Sequence, residues 1–134
     1  MWEPLPTEVR GRLRLQNNRL VPEREHADWE RNVEAIEQYR ELADDYDGQG
    51  AIPPSAEVIE SAIALARGFN ESDLAVPTYC VPGANGSINL VWDFEDESSV
   101  SVEVIDPSHA EVILVEPGQN RSWTLNRIVE EVVG

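Results

Sequence analysis

Hydrophobic residues return at helical spacing through the second quarter of the chain. Trp29, Val33, Ile36, Tyr39, Leu42 and Tyr46 step by four, three, three, three and four residues, which predicts one face of an α-helix over residues 28–46. Asp28 is its expected N-cap, because a carboxylate there accepts from the free amides of the first turn. Gly48, just after Tyr46-Asp47, is the expected exit, in the left-handed conformation that closes many helices. A second helix is predicted after Pro53-Pro54, with Ser55 as N-cap and Glu57 facing the positive end of the dipole. Val58, Ile59, Ala62, Ile63, Ala66 and Phe69 form its apolar face, and Gly68 and Asn70 close it. Two amphipathic helices with a short corner between them predict a helical hairpin.

Past residue 78 the period falls to two. Tyr79-Cys80-Val81 is a short run. Ile88, Leu90, Trp92 and Phe94, then Val100, Val102 and Val104, then Val112 and Leu114, each alternate with their neighbours. Gly83-Ala84-Asn85-Gly86, Glu95-Asp96-Glu97-Ser98 and Pro107-Ser108-His109 separate them with turn chemistry. Leu125, Ile128, Val129 and Val132 point back to a short helix over residues 124–133. The expected fold class is α+β in two layers, with the helical hairpin and a C-terminal helix packed on a four-stranded antiparallel meander. Residues 26–134 make this single domain. Residues 1–25 form an N-terminal arm punctuated by Pro4, Pro6 and Pro22, in which Arg12-Leu13-Arg14-Leu15 alternates like a short edge strand. Leu13, Leu15 and Leu20 are its expected docking residues.

Charge changes the picture most. Among 134 residues, 26 carboxylates face ten basic side chains, all arginine, for a net charge of −16; lysine is absent. Residues 1–24 hold five Arg and three Glu, so the remaining body carries −18. Such a body repels nucleic acid and anionic membrane. Its acidity fits a surface built for a basic partner, and equally fits adaptation to a salt-rich cytoplasm. No apolar run approaches the roughly 20 residues of a membrane span, and Met1-Trp2-Glu3-Pro4 does not read as the start of a signal peptide. A cytoplasmic protein is expected. Cys80 alone cannot form an internal disulfide, and with His26 and His109 the only imidazoles a cysteine-based zinc site lacks ligands.

The densest motif is Asp44-Asp45-Tyr46-Asp47-Gly48-Gln49-Gly50-Ala51-Ile52-Pro53-Pro54-Ser55. With Gly48 set at position six of a calcium loop, position one is Ala43 and position twelve is Pro54, so the bidentate glutamate is missing. A phosphate loop needs a lysine the chain does not have. A structural corner is the expected role. Tyr46-Asp47-Gly48-Gln49-Gly50-Ala51, Pro54-Ser55, Val76-Pro77-Thr78 and the strand Gly86-Ser87-Ile88-Asn89-Leu90-Val91-Trp92 together resemble a family of small prokaryotic proteins. That family has an aromatic-Asp-Gly-x-Gly-Ala corner, then a helix, a Pro-containing strand and a Gly-led strand ending in Trp. The resemblance spans about residues 40–105 and implies a shape, with no activity or ligand. It departs at Tyr46, where the family has Trp, and residues 1–25 have no counterpart.

Catalytic groups are scarce. Asp106-Pro107-Ser108-His109 holds the residue types of a hydrolase relay, but in a turn too tight to align them. Cys80 sits in a strand run, where a small buried side chain is the expected role. The chain reads as a non-enzyme without a cofactor or metal. The first helix offers more. Glu30, Glu34, Glu37, Glu41, Asp44 and Asp45 recur at three- and four-residue steps opposite the apolar stripe, making a carboxylate ribbon. The expected function is an acidic interaction protein that neutralises a basic protein partner, as an immunity protein or inhibitor does. It binds no nucleic acid and no membrane, and its oligomeric state is open. The alternatives are a nucleic-acid mimic that blocks a host nuclease, and a salt-adapted protein whose charge is unrelated to its task.

Overall fold

The computed structural model describes residues 1–14 and 28–128. Its elements are α1 (Thr7–Leu13), α2 (Trp29–Gln38), a 3-10 turn over Tyr39–Glu41, α3 (Ala56–Glu71), and strands β1 (Tyr79–Pro82), β2 (Ile88–Asp93), β3 (Ser99–Asp106), β4 (His109–Glu116) and β5 (Gln119–Asn126). The strands form one antiparallel sheet in sequence order. The fold is α+β.

Period-two alternation sets the sheet's two faces. Cys80, Leu90, Val102, Val112 and Trp123 lie in one cross-strand row, with Ile88, Val104, Ala110 and Leu125 beside it, and all but the half-buried Trp123 are buried under the helices. α3 lies over β2 and β3, α2 packs on α3 and reaches β1. At the centre Trp29, Phe69 and Trp92 meet with ring centroids 6.0–6.5 Å apart in tilted and edge-on geometry, as aromatic quadrupoles favour. Burying an indole strands its N–H unless a partner is found. Three tryptophans solve this alike: Trp2 donates to the Ser61 carbonyl, Trp29 to Leu74 and Trp92 to Ala75, at 2.8–2.9 Å. The Asn32 carboxamide, fully enclosed on the inner side of α2, does not: among the described residues neither of its polar atoms has a hydrogen-bond partner.

Both predicted N-caps form. Asp28 accepts from the Arg31 amide at 2.9 Å and Ser55 from the Val58 amide at 3.2 Å. The first helix, however, is shorter than its apolar stripe. It ends at Gln38, continues one 3-10 turn, and gives way at Leu42 to extended backbone. The cause lies in the following loop. The Asp45 amide donates to the Ala51 carbonyl and the Asp45 carboxylate accepts from the Gly50 amide, so short acidic side chains outcompete the helix for the backbone. Gly48 does take a positive φ of 73°, but inside this loop and not as a helix cap.

Three further expectations are corrected. Arg12-Leu13 is the end of helix α1, not an edge strand; Leu5, Val9 and Leu13, spaced by four, are all buried, and this stronger period wins over the Arg-Leu alternation. Arg14 then bridges to Leu74. Leu15 and Leu20 lie outside the described residues. The sheet has five strands, not four. Where a C-terminal helix over 124–133 was expected, residues 124–126 belong to β5, because Pro117-Gly118 turns the chain (Gly118 φ 78°) and Ser122, Trp123 and Thr124 suit a pleated strand. Ile128 is half exposed and its amide bonds to the Met1 carbonyl. Residues 129–134 lie outside the described residues.

Candidate functional site

α2 is held by its inward side chains, Trp29 and Ile36, so the opposite side is fixed in direction. Glu30, Glu34 and Glu37 stand there, spaced four and three apart and exposed, and Glu41 continues the ridge on the 3-10 turn. Asp44 and Asp45 are exposed too, but in the loop rather than on the helix. The packing of α3 adds Glu57 and Glu60 to the same exposed helical layer. Arg40 bonds Glu37 at 2.7 Å and holds its carboxyl below the ordinary glutamate value, with a weaker contribution from Arg67. Among the described residues, Glu30, Glu34 and Glu41 have no ion-pair partner within 4 Å. Between α2 and α3 a cleft of about 260 Å³ is lined by Trp29, Val33, Glu30, Glu34, Arg67 and Asn70. It sets an apolar floor beside two carboxylates.

The loop after α2 uses its charges internally. The Asp47 carboxylate accepts from the amides of Gln49 and Ala51, at 2.8 and 3.1 Å. Asp45 carries a positive φ of 61° and takes the Gly50 amide at 2.6 Å. Ile52 then pairs with Asn85, and its amide donates to Ala84 at 2.8 Å. The corner thus clasps the β1–β2 turn. Two carboxylates of the motif are hydrogen-bonded to its own backbone, and among the described residues no three His, Cys, Asp or Glu side chains converge as metal donors.

The turn at 106–109 is closed in a similar way. Asp106 accepts from the Ser108 amide at 2.8 Å and faces His109 Nδ1 at 2.9 Å, and these contacts hold its carboxyl below the ordinary value. Cys80 is buried on the inner face of β1, beside the Tyr39 hydroxyl at 3.4 Å; burial pushes its thiol up, away from the thiolate. Comparison with family models, curated proteins and solved structures finds no match to this chain.

Periodicity alone places Glu30, Glu34 and Glu37 on one side of a helix. It could not find Glu60 or Arg67, because their nearness to that ridge follows from how α3 packs on α2. For Asp45 and Asp47 the signal was present: short carboxylates next to glycines are the usual material of self-bonded loops.

Proposed function

We propose that the protein is a non-enzymatic interaction module that docks a basic protein partner through the acidic ridge of α2, in the manner of an immunity protein or stand-alone inhibitor. One observation carries this reading. Glu30 and Glu34, on a helix fixed from below, and Glu41, on the turn that continues it, are exposed, and none is engaged by an arginine among the described residues. Carboxylates held so steer a basic partner and speed its association, an effect that fades with salt. The neighbouring cleft, with Trp29 and Val33 on its floor, supplies an apolar anchor point inside the charged field. Asp44 belongs to the edge of the surface. Asp45 has one carboxylate oxygen already taken by the Gly50 amide.

The test is recovery of partners from the native lysate by wild type and by a variant with Glu34→Arg, Glu37→Arg and Glu41→Arg together. A basic protein retained by the wild type at low salt and lost by the variant is the expected result. Equal recovery of the same proteins by both sinks the reading. Capture of a nuclease places the protein with nucleic-acid mimics. A melting temperature that climbs steeply with added salt, without selective capture, assigns the acidity to salt adaptation.

A further inference from the structure

A second cleft, of about 520 Å³, opens between residues 1–5, α1 and α3. Its volume lies within the roughly 300–1,000 Å³ of small-molecule sites. The floor is apolar, with Trp2, Leu65, Phe69 and Leu74 turned toward it. The rim is not. Arg10, Arg14 and Arg67 line it, and none has a carboxylate within 4 Å among the described residues. Among the described residues the Arg10 guanidinium bonds only Thr7, at 3.3 Å, and its Nε is buried without an acceptor. In a chain with 26 Asp and Glu against ten Arg, three neighbouring guanidiniums without a carboxylate partner among the described residues are the opposite of what the composition favours. Arg12, Arg40 and Arg121 each hold at least one carboxylate.

We propose that this cleft binds a small amphipathic carboxylate, its apolar body on the tryptophan and leucine floor and its single negative charge held by Arg10, Arg14 and Arg67. A guanidinium offers paired donors that match the two oxygens of a carboxylate. The charge of the occupant follows from the rest of the lining. Glu3 and Glu71 also border the cleft, and Glu3 is fixed by the Asn126 amide at 2.6 Å. Three arginines, with the Met1 ammonium on the Ile128 carbonyl at 3.2 Å, outnumber the two glutamates, so the lining favours an anion, and the apolar floor favours one with a hydrocarbon body. The site is built from firm parts: the Trp2 indole is bonded to Ser61, and the Arg14 backbone bridges to Leu74. The competing account is that the arginine stems merely lie along an apolar surface with their heads in water. It predicts binding indifferent to the head group, or favouring cations, since the whole molecule repels anions.

Three probes with the same tail separate these accounts: octanoate, octanamide and octylammonium, each titrated into the full chain at neutral pH. The readout is the Trp2 indole N–H resonance in nitrogen-correlated NMR spectra. Octanoate is expected to bind about tenfold or more tighter than octanamide, with octylammonium weakest. The double substitution Arg14→Gln, Arg67→Gln is expected to erase this order. Both side chains are exposed, so the fold should persist. Because Arg67 also borders the cleft beside Glu30 and Glu34, Arg14→Gln alone is the variant that concerns this cleft only, and it should weaken octanoate several-fold. Equal affinity for the three probes overturns the proposal. So does preference for octylammonium, an octanoate affinity unchanged in both variants, or no response at Trp2 up to the solubility limit of octanoate.

Discussion

Along the seam between α1 and the sheet, Arg12 and Arg121 share three carboxylates. Arg12 reaches Glu116 at 2.9 Å and Asp96 at 3.5 Å, while Arg121 reaches Glu116 at 2.9 Å and also pairs with Glu8. Each guanidinium lies over an aromatic ring, Phe94 for Arg12 and Trp123 for Arg121. Along the outer ridge of α2 the same kinds of residue are arranged otherwise, with one ion pair, Arg40–Glu37, and the other glutamates unpaired among the described residues. The difference is one of cost. In the seam each side chain is already confined by a neighbour, so a further pair adds attraction at little extra entropy. On the ridge, among the described residues, only Arg40 and Glu37 confine each other. Charges in the seam are therefore part of the fold, and charges on the ridge can change without harming it.

Removing Arg12 should break the contrast most. Arg12→Ala deletes its bonds to the Ser98 hydroxyl and to Glu116, the Asp96 pair and the ring contact. A loss of about 2 kcal/mol or more is expected in urea denaturation, on the scale of hydrogen bonds to charged groups. A smaller effect, of opposite sign, is expected beneath the ridge. Asn32→Leu replaces an enclosed carboxamide without partners by an apolar side chain of similar size, and should stabilise the protein by about 1–2 kcal/mol. Reversing Glu34, Glu37 and Glu41 together should leave the denaturation midpoint nearly unchanged, because relief of like-charge repulsion offsets the loss of the exposed Arg40–Glu37 pair. A large loss there would place the ridge within the fold.

Acid supplies the finest test of the seam. Hydrogen bonds from Arg121, and then from Arg12, hold the Glu116 carboxyl below the ordinary glutamate value. Such a group contributes stability that is complete above its unfolded pKa, about 4.3, and is lost as pH falls through its lower folded value. Wild type should therefore lose more stability than Glu116→Gln between about pH 5 and pH 3, as followed by denaturant midpoints across that range. Parallel curves would mean that the arginines do little for Glu116.

The sequence makes the ridge legible and hides the seam, and the reason is distance along the chain. Glu30, Glu34 and Glu37 repeat within one helical period, so local spacing reveals their common face. Arg12 and Glu116 stand 104 positions apart, and nothing in either segment announces the other. The same limit explains β5. Ser122-Trp123-Thr124 carries ordinary strand chemistry, but Leu125 and Ile128 also match a helical step, and only pairing with β4 decides between them. At residues 42–46 an apolar stripe persisted through a stretch that leaves the helix, because hydrogen bonds by Asp45 to the backbone outweigh a periodic Leu42 and Tyr46.

The docking of residues 1–14 against the far end of the sheet has a consequence for how the chain is made. Strands β1 to β5 pair only with sequence neighbours, so each can zip onto the last as it leaves the ribosome. The first fourteen residues have no such option. The Glu3 amide must wait for the Asn126 carbonyl, Glu8 for Arg121 and Arg12 for Glu116. At ordinary translation rates that wait is on the order of ten seconds, during which Trp2, Leu5, Val9 and Leu13 lack the last strand of the sheet they finally cover. Residues 1–14 can thus meet Ser61 and Leu74 once α3 is made, but their ties to β4 and β5 close last, and until then their tryptophan and arginines stay open to whatever surrounds the nascent chain.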